Sequence, residues 1–443
     1  MNGIVISAIK SGSGKTTAAL AVMKALKDKG FDPIPFKVGP DFIDPSHYKA
    51  VCGVDGRNID SFMMKRDFIR WNIADALSEA NAKKPFLVAE GVMGLFDGYG
   101  EKGAGSTAEI AKLLNLAVIL VIDVKGMGQS VLPIINGFMS YDKDLNLAGV
   151  ILNNAGSERH VNILKTQIKK AGIKLIGAIK KEEGLKIKER HLGIIMGHEL
   201  SKDTIKAISA AAEGINIDNL LAISRWNDVF LPKPLSLKRT DKKIYIAQDE
   251  AFSFCYRENI RVLESIGDVS FFSPLRDNNL SDASFIYLPG GYPELYAEQL
   301  SSNKHMMAYL KDYVKGGGYL LAECGGFIYL SRTLKCEEKL YNFCGIFPFD
   351  MEMGKTYSSL GYVIADTINN PIWGNSKLKG HRFHYSYIKN EQAPVEKTYL
   401  LKRHGQITYE GYSYKNATGS YVHLHFGSNI NAVKKAFKNI FGG

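Results

Sequence analysis

Residues 11–17 read SGSGKTT and stand between an apolar run at 3–9 and a helical pattern that begins near Lys15. In that place, the backbone N–H groups of a glycine loop and a helix N-terminus can surround phosphate oxygens. Gly12, Ser13, Gly14, Lys15, Thr16 and Thr17 are therefore candidate nucleotide-binding residues. Lys15 would reach the β- and γ-phosphates, and the Thr16 hydroxyl would help to hold Mg2+. The strict GxxxxGK[ST] pattern lacks its first glycine because Ile9 occupies that position. Its working end is intact. The competing reading is a glycine turn that happens to carry a lysine, and the flanking strand and helix argue against it.

The rest of the first half alternates. Ala18, Val22, Ala25 and Leu26 recur at helical spacing, and Gly30 is placed to end that helix. Apolar runs follow at 86–89, 117–122, 148–152 and 175–178, several of them separated by helical patterns such as 107–114. This predicts a parallel sheet with helices on both faces. The stretch DVFLPKPLSLKRTDK (228–242) holds two prolines and clustered charge without periodicity. It divides the chain into a domain over 1–230, a linker over 231–242 and a second domain over 243–443. The second domain opens with KIYIAQ, continues through apolar runs at 284–288 and 319–322, and changes texture near Thr356. There, short runs rich in tyrosine, valine and histidine predict an antiparallel extension, and a helix over 429–440 closes the chain.

Composition excludes several functions. With 443 residues, 45% hydrophobic and 23% charged, the chain is an ordinary folded one of more than one domain. No apolar run approaches the roughly 18 residues of a membrane span, and the amino terminus is a strand and loop where a secretory signal would need an apolar core. A cytoplasmic location is expected. The net charge of +11 is spread along the chain without a basic block, so it suits a polyanionic small molecule and not a nucleic acid. Five cysteines without a CxxC pair encode neither a disulfide framework nor a zinc ribbon.

Phosphoryl transfer needs hard oxygen ligands for Mg2+. Glu90 ends the strand FLVA, at a carboxyl edge where such sheets place ligands. Asp41 and Asp44, in KVGPDFIDPSHY, form a second acidic loop, and Asp123 ends another strand. The competing, less favoured reading takes Asp41 and Asp44 as turn formers beside Pro40 and Pro45.

In the second half, YLLAECGGFIYL (319–330) places Cys324 between a strand and a helix start. A nucleophile needs such a sharp turn to expose its atom beside backbone N–H donors, as in the related GxSxG elbow. A helix N-terminus is expected to lower the thiol pKa. LPGGYPE (288–294) offers Gly290 and Gly291, with Gly325, as an oxyanion hole. SYVHLHF (420–426) offers His423 or His425 as the proton carrier. Cys52, Cys255, Cys336 and Cys344 read as packing residues.

The segments FKVGPDFIDPSHY, EGVMGLFDG, GVILNNAGSERH and ERHLG resemble the amino-terminal half of cobyrinic acid a,c-diamide synthases. That family is related to dethiobiotin synthetases and cobyric acid synthases, and it usually has glycine and threonine where this chain has Ala8 and Ile9. The cysteine elbow, glycine pair and histidine resemble the glutaminase domain of triad amidotransferases. The fold implied is α/β: a P-loop NTPase-like doubly wound, mostly parallel sheet, followed by a flavodoxin-like glutamine amidotransferase domain. The resemblance implies ATP, with Asn153 near the adenine and Thr16, Asp41 and Glu90 near Mg2+. Typical triad enzymes carry a glutamate two residues after the histidine. The cobyrinate branch lacks it, which favours His423 as the base. A shifted register would select His425.

GHRFHYS (380–386) has Arg382 where the family commonly has glutamate. It is expected to face the substrate, which makes His384 and Tyr385, together with Asp44, candidate substrate residues. Structural roles for His381 and His384 are equally open, and Tyr362 and Tyr385 could stack on a macrocycle or simply pack. The implied activity is amidation of the a and c acetate groups of a tetrapyrrole. ATP makes an acyl phosphate, and glutamine supplies ammonia along a protected route. Ni-sirohydrochlorin a,c-diamide synthase and cobyric acid synthase share this chemistry. A partitioning-type ATPase, suggested by Lys10, does not explain Cys324 with His423. The expected partners are ATP, glutamine and the tetrapyrrole, with no membrane; a homodimer stays open.

Overall fold

The computed structural model describes residues 1–101, 103–185, 196–227, 235, 237–403 and 405–442. The segment ERHLG and part of the expected linker (231–234 and 236) lie outside the described residues. The chain divides into two compact units, one of Met1–Phe62 with Arg66–Lys233 and one of Met63–Lys65 with Pro234–Gly443.

In the first unit the strands are β1 (Asn2–Ala8), β2 (Asp32–Val38), β3 (Arg57–Ile59), β4 (Pro85–Glu90), β5 (Ala117–Asp123), β6 (Leu147–Ala155) and β7 (Lys174–Lys180). They form one sheet in the order β3-β2-β4-β1-β5-β6-β7, and every pairing is parallel. A sheet covered on both faces reads as continuous apolar runs, which is why β1 and β5 carry little polar alternation. Ile4, Val5 and Ile6 have no exposed surface. The helix Lys15–Asp28 buries Ala18, Leu20, Val22 and Leu26 in the same core as Ile4, Ile6 and Val88. It stops where Lys29 closes its last turn and Gly30 takes a left-handed φ of +78°. From β1 the chain winds toward β2 on one side and β5 on the other. The reversal falls at the carboxyl ends of β1 and β4, where open α/β sheets place their ligands.

The second unit contains β8 (Lys243–Ala247), β9 (Asp268–Phe272), β10 (Ala283–Leu288), β11 (Tyr319–Glu323), β12 (Thr333–Cys336), β13 (Lys339–Asn342) and β14 (Phe349–Met353). It continues with β15 (Ser359–Thr367), β16 (Lys377–His384), β17 (Ser386–Glu391), β18 (Glu396–Arg403), β19 (Gln406–Tyr414), β20 (Ala417–Ser420) and β21 (Val422–His425). Ten of these form one sheet, β21-β16-β15-β18-β19-β20-β11-β10-β8-β9. The five strands from β20 to β9 pair in parallel, in the order expected of a flavodoxin-like core. The remainder is antiparallel, as the change of texture near Thr356 predicts.

A separate four-stranded sheet, β13-β12-β14-β17, has no counterpart in the sequence reading. Its strands are short and half exposed, so they show no apolar run. The edge strand β9 escapes for the same reason, since Phe272 is its only buried residue. Phe327, in the short helix Gly325–Tyr329 after Cys324, packs against Phe347, Phe349, Tyr412 and Tyr421 with ring centroids 5.2–6.0 Å away. This anchors the helix that follows Cys324 in the core.

Candidate functional site

The first unit gathers the acidic and basic residues of its candidate site at the reversal point. Gly14 has φ +91°, and its α-carbon lies against the Asn153 amide so closely that no side chain would fit. Asn153 Nδ2 donates to Ser13 O at 3.0 Å, fastening the loop to the end of β6. Lys15 is buried, its Nζ donating to Met93 O at 2.5 Å, and burial followed by the charge of Lys37 lowers its pKa. Thr16 Oγ1 donates to Glu90 Oε1 at 2.7 Å and lies 3.5 Å from Asp44 Oδ1. Gly12 is exposed at the loop tip, and Thr17 follows Thr16 in the first turn, half-buried.

Two residues complete the cluster that sequence reasoning missed. Lys37 Nζ sits between Asp44 Oδ2 at 2.5 Å and Glu90 Oε1 at 2.9 Å, and Tyr48 OH donates to Glu90 Oε2 at 2.7 Å. A lysine within the buried strand DPIPFKV was the available signal, because a charge in a fully covered strand must be paired.

Burial acts against charge on every member of this cluster. Lys37 nevertheless stays protonated, its pKa raised by Asp44 and Glu90. Asp44 is held at about 2 against burial by Lys37. Asp41, whose Oδ1 accepts from Ile43 N at 2.7 Å, is pushed up to about 7 by burial and by Asp44; Glu90 is also raised, by burial and then Asp44. Asp41, Asp44 and Glu90, gathered near Lys37 and Lys15, offer with the Thr16 hydroxyl only hard oxygen donors. That donor set suits a small divalent cation that keeps waters and phosphate oxygens in its shell. Among the described residues no three His, Cys, Asp or Glu side chains form an all-protein metal cage. Asp123 is used locally, accepting from Lys125 N and Asn154 Nδ2, both at 3.0 Å.

In the second unit, β11 ends at Glu323 and the chain turns sharply at Cys324, with φ +46° and ψ −104°. A non-glycine residue rarely adopts such a conformation, and it is held here by Cys324 N donating to Ser420 O at 2.7 Å and by Gly326 N donating to Pro289 O at 3.0 Å. The thiol points toward Phe383 O, 3.6 Å away. Gly325 packs on Gly291, where a β-carbon at 325 would come within 2.9 Å of Gly291 N. On its other side, Gly290 presses against the His423 imidazole, leaving no room for a side chain. The glycine pair is therefore flanked by the cysteine's helix and by His423.

His425 is occupied elsewhere. Its Nδ1 accepts from Gly427 N at 3.0 Å, and its Nε2 lies 3.8 Å from Glu258 Oε2.

The surroundings of Cys324 work against the expected low thiol pKa. Burial pushes Cys324 up, and the charge of Glu294, with smaller contributions from Glu323 and Glu410, adds to the rise. The following helix has only five residues, too few to offset buried carboxylates nearby. Burial, and then His384, lower His423 to about 3. Burial thus favours the neutral form of both groups. Glu294 itself, on the turn Pro293–Tyr296, is raised to about 7 by burial, and Glu323 to about 8. None of these three glutamates was singled out from sequence.

His384 is buried, stacked on Tyr421 with centroids 3.7 Å apart, and its Nδ1 is 2.8 Å from Ser386 O. Arg382 links it to Glu410, with NH2 3.2 Å from His384 Nε2 and 3.3 Å from Glu410 Oε2. Tyr385 is half-buried and groups with Tyr357 and Phe383, whereas Tyr362 is buried in β15. The other four cysteines are free thiols, as read.

Comparison with known proteins agrees with this arrangement. Residues 4–194 match the CobQ/CobB/MinD/ParA nucleotide binding domain, and residues 243–430 match the CobB/CobQ-like glutamine amidotransferase domain. Cobyrinate a,c-diamide synthase of Listeria monocytogenes (strain F2365) is 36% identical over 99% of each chain. The enzyme of that name from Clostridium acetobutylicum is 36% identical over 98% of this chain and 99% of its own. That from Thermoplasma volcanium is 37% identical over 98% and 96%. Among the described residues no helix is long and apolar enough to cross a membrane. With both halves accounted for along its whole length, the chain belongs to the cobyrinate a,c-diamide synthase family and is a glutamine-dependent amidating ligase.

Proposed function

We propose that the protein converts cobyrinic acid to its a,c-diamide, using ATP to activate each acetate carboxylate and glutamine to supply the nitrogen. The observation that carries this reading is full-length likeness to cobyrinate a,c-diamide synthases in a chain that holds both a phosphate-loop cluster and a cysteine elbow. A carboxylate does not react with ammonia near neutral pH, because its oxygen is a poor leaving group. Transfer of the γ-phosphoryl group gives an acyl phosphate, from which ammonia displaces phosphate.

In this reading Lys15 and the loop N–H groups of residues 12–17 hold the triphosphate. Thr16, Glu90 and Asp41 would hold Mg2+, which when bound neutralises phosphate charge. Lys37 favours the ionised form of Asp44 and holds Glu90 in place. Asn153 orders the loop next to the adenine, and Asp44 lies on the acceptor side. In the second unit His423 takes the proton of Cys324 as the sulfur attacks the glutamine amide, and the N–H groups of Gly291 and Gly325, beside Gly290, stabilise the oxyanion. His423 then gives the proton to departing ammonia, and water hydrolyses the thioester. His384 and Tyr385 would bear on the acceptor, His384 through the network it shares with Arg382.

The test is incubation with ATP, Mg2+ and glutamine plus either cobyrinic acid or Ni-sirohydrochlorin, followed by the mass of the product. Two amidations of cobyrinic acid are expected. Turnover of Ni-sirohydrochlorin alone would assign the other acceptor.

A further inference from the structure

A general base needs its ring plane fixed, and triad enzymes commonly fix it by a hydrogen bond to a carboxylate. In this chain the side chain two residues after His423 is His425, engaged with Gly427 N. A different support is present. β16 and β21 run antiparallel with His381 directly opposite His423. Their imidazoles lie 4.7 Å apart between centroids and within 11° of parallel. His381 is itself held, since its Nδ1 is 2.8 Å from the hydroxyl of Tyr256, a residue 1% exposed. Tyr256 in turn packs on His425, with centroids 4.8 Å apart. The order is Tyr256, His381, His423, with Gly290 against Cε1 of the last ring.

Offset-stacked rings at this separation attract, and a neighbour anchored by a hydrogen bond resists the loss of that stacking when one ring tilts. A ring that takes up a proton is also favoured over the face of a neutral π-system. His381 is suited to that part, because burial and the adjacent His423 and His425 hold its pKa well below the ordinary histidine value.

We propose that His381 is a positioning residue for glutamine hydrolysis, its ring, locked by Tyr256, setting the plane in which His423 exchanges a proton with Cys324 and the leaving nitrogen. This rests on the reading of His423 as the proton carrier.

The test uses the full chain with glutamine, following glutamate release, with kcat and KM determined separately for His381→Ala, His381→Asn and His381→Phe. Thermal unfolding serves as the check on folding. Ala and Asn are expected to lower kcat about tenfold or more while KM stays within about twofold. Phe restores a flat ring and should recover most of the kcat lost by Ala. An unchanged kcat in folded His381→Ala, a Phe variant no better than Ala, or a loss expressed mainly in KM would overturn the proposal. If the Ala variant does not fold, Asn against Phe makes the same comparison. His423→Ala is measured alongside. Full turnover there removes the reading of His423 itself, whereas an inactive His423→Ala beside a normal His381→Ala removes only the positioning role.

Discussion

Thr16 Oγ1 donates to Glu90 Oε1 across 2.7 Å, joining the first turn of the phosphate-loop helix to the carboxyl end of β4. The same carboxylate takes Lys37 Nζ at 2.9 Å and Tyr48 OH at 2.7 Å, so one side chain orders three elements. Glu90→Gln keeps the shape and removes the charge. Synthesis should fall about 100-fold or more with either glutamine or ammonium as nitrogen source. Glutaminase turnover and nucleotide binding, the latter by calorimetry, should be largely kept. Near-normal synthesis would remove Glu90 from the site.

Cys324→Ala separates the two halves. Glutamine-dependent synthesis should vanish, while synthesis from a high concentration of ammonium salt should remain near the wild-type rate, because in the proposed reading the thiol takes no part in making the acyl phosphate. Loss of both in a folded variant would show that the thiol does more than release ammonia.

Gly290→Ala should push the His423 ring from its position, because the added β-carbon meets Cε1 of that ring. Overpacking of this kind costs about 1–3 kcal/mol. The expected signature is glutaminase kcat reduced about tenfold or more with a modestly lower melting temperature. Wild-type kcat in a variant that folds would show that the ring can move without consequence.

Glu323 gives the stability of the second unit a definite pH dependence. Burial raises its pKa from 4.5 to about 8, although Tyr287 OH at 2.6 Å and Leu424 N at 3.0 Å both donate to it. A carboxyl whose folded pKa exceeds its unfolded one binds its proton more tightly when folded. Stability therefore falls as pH rises between 4.5 and about 8, and levels off above. The melting temperature should drop by about 3 °C or more between pH 6 and pH 9, and Glu323→Gln should flatten that slope. A slope unchanged by the substitution would mean that Glu323 titrates normally.

The phosphate loop, the central parallel strands of both units and Cys324 were legible in the sequence because each depends on a local signal: glycines at a strand-to-helix turn, continuous apolar runs, or a cysteine at a sharp corner. Lys37 and Tyr48 were not read as site residues because their importance comes from meeting Glu90, 53 and 42 positions away. His381 could be seen in GHRFHYS, yet its relation to His423 depends on the register of β16 against β21. The thiol pKa was misjudged for a related reason. The helix start at 325 is local, while Glu294 and Glu410 reach Cys324 only through the fold.

The burial of Cys324 has a consequence for durability. Peroxide and electrophiles attack the thiolate far faster than the thiol, and sulfenic acid formation follows thiolate character and exposure. Cys324 is 6% exposed and its surroundings favour the protonated thiol, so it offers oxidants little to attack. The burial that disfavours the thiolate of Cys324 is therefore also expected to shield its sulfur from oxidation.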